Sequence, residues 1–224
     1  MINFILVSDK EWHDILFKKL KNRKGENWHR IKDKKDFNKI FIKKLCPEKI
    51  FIPHWSNIIE SKIWSNYECI LFHMTDLPYG RGGSPLQNLI VRNKNETKIS
   101  AIKVNQGVDE GDIYLKEKLS LRGTAREIFE RSTPIILNMI NEIIDNKLEP
   151  IAQNGTVTKF NRRSESQGDL KDLKDLTSIY DYIRMLDCEG YPNAFVETAY
   201  LKFKFYNAKN NKNEIIANVR ISKK

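Results

Sequence analysis

Among the four histidines of this 224-residue chain, His73 is placed where an imidazole could act on a ligand. It directly follows the apolar run 69–72 (CILF) and precedes Asp76, Pro78 and the glycine-rich turn 79–85 (YGRGGSP). An imidazole at the mouth of a buried strand can give and take a proton near neutral pH. The carboxylate that could serve it lies in residues 104–112 (VNQGVDEGD), where Asp109 stands between Gly107 and Gly111. Glycines there let the backbone curl tightly and carry the carboxylate to a ligand. A carboxylate hydrogen-bonded to an imidazole fixes its tautomer and favours the charged ring, so the pair can carry a proton. Read alone, the same Asp-rich loop is a turn former. His54 lies in the segment 51–59, free of Lys, Arg, Asp and Glu, and reads as packed and hydrogen-bonded; His13 and His29 sit in basic segments and read as surface.

Such a pair needs a rigid frame. Residues 2–7 (INFILV), 49–52 and 69–72 are short continuous apolar runs, the pattern of buried parallel strands. Between the first two, Ser8 and Glu11 read as a capping box followed by Trp12, Ile15, Leu16 and Leu20 at helical spacing. A short segment at 28–31 leads to Asp33 as N-cap, and Phe37, Ile40, Phe41 and Leu45 repeat the stripe until Pro47 stops it. This alternation predicts an α/β, Rossmann-like open, mostly parallel sheet. Residues 97–104 and 112–115 read as further strands. Thr124 and Glu127 cap a long helix reaching about Asn146, with a kink or break expected at Pro134. The tail reads as a strand at 156–160, a surface loop at 161–175, and a short helix on Ile179, Tyr182, Ile183 and Leu186. A hairpin then joins 197–206 to 214–221. Ligands of such sheets bind at the carboxyl ends of strands, so the loops after Ile52, Phe72 and Val104 are where chemistry is expected. No GxGxxG follows the first strand and no GxxxxGK[ST] occurs; Gly80, Gly82 and Gly83 have neither spacing. Dinucleotide binding and nucleoside-triphosphate hydrolysis are disfavoured accordingly.

Composition narrows the class. The net charge is 39 − 29 = +10, and residues 1–66 carry 15 basic against 8 acidic side chains. That excess favours anionic partners, yet the lysines lack the interleaved aromatics of a nucleic-acid platform. Nucleic acid is therefore not the expected partner. Cys46, Cys69 and Cys188 form no CxxC and have no histidine at ligand spacing, so neither a disulfide framework nor a metal is expected. With neither a signal peptide nor a spanning segment legible, cytoplasmic localisation and no membrane partner are expected.

Taken together, His73-Met-Thr-Asp-Leu-Pro-Tyr-Gly-Arg-Gly-Gly-Ser-Pro85 and Asp109-Glu-Gly-Asp112-Ile resemble the signature of the folate-dependent formyltransferases. The family includes methionyl-tRNA, glycinamide-ribonucleotide and nucleotide-sugar formyltransferases. The resemblance implies the formyltransferase fold, with a Rossmann-like catalytic domain at 1–149. A small C-terminal helix-plus-β-hairpin appendage at 150–224 would bind substrate or pair subunits. It also implies N10-formyltetrahydrofolate as co-substrate and no metal. His73 would stabilise the tetrahedral oxyanion and shuttle protons, with Asp109 holding the imidazole. Pro53, Trp55, Gly107, Val108 and Asp112 would line the pterin pocket, although Trp55 reads equally as a core residue. Met74, Thr75, Arg81, Gly82, Arg162 and Arg163 would meet the acceptor, although a solvated loop accounts equally for the last two arginines.

The chain departs from the family in one place: Leu71 stands where an asparagine usually precedes the histidine by two residues. Losing one such oxyanion donor costs roughly 2–4 kcal/mol of transition-state stabilisation. Thr75, Asn88 or a backbone N–H is the expected substitute; the alternative is a non-catalytic folate or nucleotide-sugar binding homologue. About 75 residues follow Asn146, too few for the barrel of a methionyl-tRNA formyltransferase. The expected acceptor is therefore a UDP- or dTDP-linked amino sugar of surface-glycan (O-antigen) synthesis. The branch resembled is that of the pseudaminic-acid type, with a methionyl-tRNA formyltransferase-like enzyme as the alternative. The apolar face of the terminal hairpin offers a surface for a homodimer.

Overall fold

The computed structural model describes residues 1–224 and contains two compact units, each built from three chain segments. The first comprises residues 1–82, 97–119 and 130–159; the second comprises 83–96, 120–129 and 160–224.

A six-stranded sheet organises the first unit. Its strands are β1 (Ile2–Val7), β2 (Glu26–Ile31), β3 (Lys49–Ile52), β4 (Glu68–His73), β6 (Glu96–Lys103) and β7 (Ile113–Ser120), in the order β2-β1-β3-β4-β6-β7. A two-residue strand, β5 (Arg81–Gly82), comes between β4 and β6 in the chain and pairs outside this sheet. β1 is parallel to both neighbours, and β3 to β4. Continuous apolar runs suit strands covered on both faces: Phe4, Ile5, Leu6, Val7, Ile50, Phe51 and Ile52 are all fully buried. The parallel order ends at β4. β6 runs antiparallel to it, with His73 opposite Ser100 and Ile70 opposite Lys103. The open, mostly parallel sheet expected from the sequence is the one observed.

Helices α1 (Asp14–Lys21), α2 (Lys39–Leu45), α3 (Ser61–Trp64) and α4 (Pro85–Ile90) precede β6. Two start signals differ from expectation. Ser8 does not cap a helix; its buried hydroxyl bonds His13 Nδ1 at 2.7 Å, and a 3-10 turn, Glu11–His13, precedes α1. Asn38, not Asp33, caps α2, its side chain accepting from Phe41 N–H at 3.0 Å. The helix then ends at Cys46, in the left-handed region just before Pro47. Helix α5 (Ala125–Asp145) begins in the expected Thr124–Glu127 capping box and runs through Pro134 without splitting in two. Of the strand expected at 156–160, only β8 (Lys159–Phe160) forms.

The second unit holds α6 (Leu176–Arg184) and an antiparallel sheet of β9 (Ala194–Glu197), β10 (Leu201–Asn211) and β11 (Glu214–Lys223). The expected hairpin is β10–β11; β9 is an additional strand, separated from β10 by a turn in which Thr198 N–H donates to Leu201 O. α6 packs chiefly against β10. No helix is long and apolar enough to cross a membrane.

Candidate active site

β4 ends on His73, which is 7% exposed. The chain beyond it is pinned at once. Ser100 Oγ donates to Thr75 O at 2.7 Å and accepts from Leu77 N–H. Gly80 and Arg81 N–H donate to Thr158 O at 3.0 and 2.9 Å. Gly80 and Gly82 occupy positive φ, 77° and 109°, which their lack of a Cβ permits. This turn presents three groups. The Gly80 carbonyl accepts from His73 Nε2 at 2.8 Å and from the Thr75 hydroxyl at 3.3 Å. The Gly82 amide donates to Asp109 Oδ2 at 2.8 Å. The Arg81 side chain reaches the loop that carries Asp109.

That loop does not simply leave a carboxyl end beside His73, as the expected loop after Val104 would. Because β6 is antiparallel, Val104 lies beside the start of β4, its N–H bonded to Cys69 O at 2.8 Å. Residues 105–111 double back from there and bring Asp109 Oδ2 to 3.5 Å from His73 Nδ1, with both side chains over 90% buried. Asp109 holds φ 54°, a left-handed conformation that aspartate tolerates better than most residues. Gly111 is dictated by contact: a Cβ there would stand 1.6 Å from the Lys103 carbonyl oxygen. Gln153 braces the loop. Its Nε2 donates to Asp109 O and Gly111 O, both at 2.8 Å. Its Oε1 accepts from Arg81 Nε and Nη2 at 3.1 and 2.9 Å. Arg81 Nη1 also meets Glu110 at 3.2 Å. An isolated glutamine in a polar tail has no periodicity or motif to mark it.

The other expected site residues are dispersed. Met74 and Thr75 are buried beside His73 in the chain. Pro53 is buried, and Trp55 packs edge-on to Phe37 at 5.7 Å against the core under the sheet. Gly107 and Val108 occupy the outer part of the loop, Val108 being 65% exposed. Asp112 lines a cavity of about 330 Å³ with Trp64, Ser65, Lys103, Val104 and Asn105. Arg162 and Arg163 belong to the second unit. There the Arg162 backbone crowds Gly83, and Arg163 stacks over Tyr182 and donates to Gln167 O. Leu71, on the His73 face of β4 by strand alternation, packs against the buried cluster that includes Ile50, Ile52 and Cys69. Neither side chain expected to substitute for the missing asparagine is idle. The Asn88 amide donates to the carbonyls of Gly83, Ser84 and Asn161, and the Thr75 hydroxyl to Gly80.

Charge around the site is ordered. Burial raises the Asp76 pKa, but hydrogen bonds from Lys116 at 2.6 Å and Lys98 at 3.0 Å outweigh it and hold the carboxyl below its usual range. Burial, then the Glu68 charge, pushes the Cys69 thiol up to about 12, which removes it as a nucleophile. His13, read as a surface residue, is in fact 1% exposed. Burial, then His54, lowers its pKa to about 3, and burial lowers His54 to about 4. Neither histidine can be a charged partner at neutral pH.

The fold that carries this imidazole–carboxylate pair has counterparts among known proteins. The family model for the C-terminal domain of methionyl-tRNA formyltransferase matches residues 165–222. A solved structure described as methionyl-tRNA formyltransferase from Clostridium thermocellum superimposes with a TM-score of 0.97 at 45% identity, covering 100% of both chains. The curated methionyl-tRNA formyltransferase of Ehrlichia ruminantium (strain Gardel) is 30% identical over 162 residues, 69% of this chain and 52% of that protein. The chain thus spans about half the length of the curated relatives it matches. A sugar N-formyltransferase from Shewanella shares the fold, with a TM-score of 0.69 at 15% identity over 89% of this chain and 94% of that one. Sheet order and terminal appendage define an α/β fold of the formyltransferase type. The chain belongs to the folate-dependent formyltransferase superfamily.

Proposed function

We propose that this protein transfers a formyl group from N10-formyltetrahydrofolate to the primary amine of an aminoacyl-tRNA, with His73 and Asp109 as its proton-handling couple. The observation that carries the chemistry is the 3.5 Å approach of Asp109 to His73. The folate supplies an activated one-carbon unit at the formyl oxidation level. His73 sits where its charged ring would stabilise negative charge on the formyl oxygen and hold the proton that the attacking amine gives up. Asp109, fixed by Gly82 N–H, keeps the ring oriented and compensates its charge. The cavity lined by Trp64, Val104, Asn105 and Asp112 lies toward the start of β4, the strand end opposite His73, so the formyl end of the folate would be held by the glycine turn and the Asp109 loop themselves. In this reading Arg81 braces the loop that bears Asp109.

For the acceptor, two likenesses favour tRNA over the nucleotide sugar expected from the length of the tail. One is the 45% identity along the whole chain to a protein described as methionyl-tRNA formyltransferase. The other is the match of residues 165–222 to the C-terminal domain of that enzyme. The charge of +10 suits a polyanion. A second reading, a nucleotide-linked amino sugar, is favoured by one observation. The terminal sheet is an open three-stranded one. Purified protein with the folate donor and either charged initiator tRNA or UDP- and dTDP-4-amino sugars decides between them. Formyl-methionyl-tRNA as the product supports the first reading. Turnover with amino sugars alone replaces it with the second, and formate release without any acceptor removes both.

A further inference from the structure

We propose that Gln153 is a positioning residue, whose side-chain amide holds the Asp109 loop to Arg81 and so aims the Asp109 carboxylate at His73. The inference rests on formyl transfer at that couple. Gln153 lies in irregular chain between α5 and β8, half-buried and 44 residues from Asp109. Both amide protons are used, on the carbonyls of Asp109 and Gly111, and its oxygen takes the Nε/Nη2 fork of Arg81. A planar amide supplies two donors and a two-lone-pair acceptor on one group. Glutamate would set a negative oxygen against two carbonyl oxygens, and alanine would leave all four bonds unmade.

The contacts fall where the couple is adjustable. Asp109 occupies the left-handed region, which a non-glycine residue keeps when its surroundings over-determine it. Gln153 fixes the carbonyl of that very residue and the carbonyl two residues on. Its other end fixes Arg81, whose neighbours are Gly80, the acceptor of His73 Nε2, and Gly82, the donor to Asp109 Oδ2. One side chain thus joins the segment that holds the ring to the segment that holds the carboxylate. Gln153 itself bonds neither His73 nor the Asp109 carboxylate, so it acts through geometry.

Wild type, Gln153→Ala and Gln153→Glu are compared in formyl transfer across the neutral pH range, with amide exchange of residues 105–111 and ¹⁵N titration of the His73 ring. Gln153→Ala is expected to lower kcat about 10- to 100-fold, the scale of a misplacement near 1 Å, with little change in the donor KM. The acid limb of the kcat profile should move, and residues 105–111 should exchange faster. Gln153→Glu, which keeps an acceptor for Arg81 but no donors, should not restore the rate. Unchanged kcat and pH profile in both variants overturn the inference. If wild type shows no turnover, the formyl-transfer reading fails by itself. The titration then decides: an altered His73 curve in Gln153→Ala supports positioning, and an unaltered one overturns it.

Discussion

Asp109 Oδ2 faces His73 Nδ1 at 3.5 Å while accepting the Gly82 amide at 2.8 Å, so one oxygen serves the ring and the glycine turn together. Coupled proton-handling groups act as a unit. Both His73→Asn and Asp109→Asn should therefore lower kcat by about 10³- to 10⁴-fold, and the double variant little further. Single-turnover release of tetrahydrofolate measures this. Near-wild-type rates in either single variant would remove the couple from the chemistry.

Leu71 offers a test in the opposite direction. It packs against the buried cluster that includes Ile50, Ile52 and Cys69, and the side-chain donors expected to replace an amide here, Thr75 and Asn88, are spent on backbone carbonyls. Leu71→Asn should raise kcat, by up to about 100-fold if it recreates an oxyanion donor, and should cost about 1–3 kcal/mol of stability through lost apolar packing. Parallel melting and turnover assays separate the two effects. A lower kcat in a folded variant would mean that a backbone N–H already fills the role.

Gly111→Ala should be among the most damaging small substitutions. Its Cβ would meet the Lys103 carbonyl oxygen at 1.6 Å, and backbone cannot swing aside as a side-chain tip can. A loss of about 3 kcal/mol or more is expected in denaturant melts. Gly107→Ala serves as the control, because the atoms nearest its Cβ would be those of the flexible Glu110 side chain.

Acid should weaken the fold through two histidines far from the couple in sequence. His13 bonds Ser8 and faces Trp12, His54, Lys10, Arg30 and Asp14; His54 meets Trp12 edge-on and lies near Lys10 and Asp9. Their folded pKa values, about 3 and about 4, lie below the unfolded 6.5. The unfolded chain therefore binds more protons between these limits, and stability rises with pH there. Their contribution is complete above 6.5 and is lost as pH falls toward 4 and then 3. Tm measured against pH should show this slope, and His13→Asn should flatten it.

The parallel half of the sheet was legible because buried strands write themselves as unbroken apolar runs: 2–7, 49–52 and 69–72 each coincide with or lie within a strand. The reversal at β6 was not, since an apolar run carries no direction; the pairing of His73 with Ser100 supplies it. His73 and Asp109 were legible as linked motifs, whereas Gln153 acts through two carbonyls and one guanidinium. His13 was misread because Lys10, Glu11 and Asp14 surround it in sequence, while its ring turns inward to Ser8.

One carbonyl, that of Gly80, receives both the His73 ring and the Thr75 hydroxyl. Any remodelling of residues 79–82 would shift the His73 ring in the same stroke. The aim of the imidazole and the shape of the turn are thus tied to a single peptide, and the turn is better left intact when the protein is altered elsewhere.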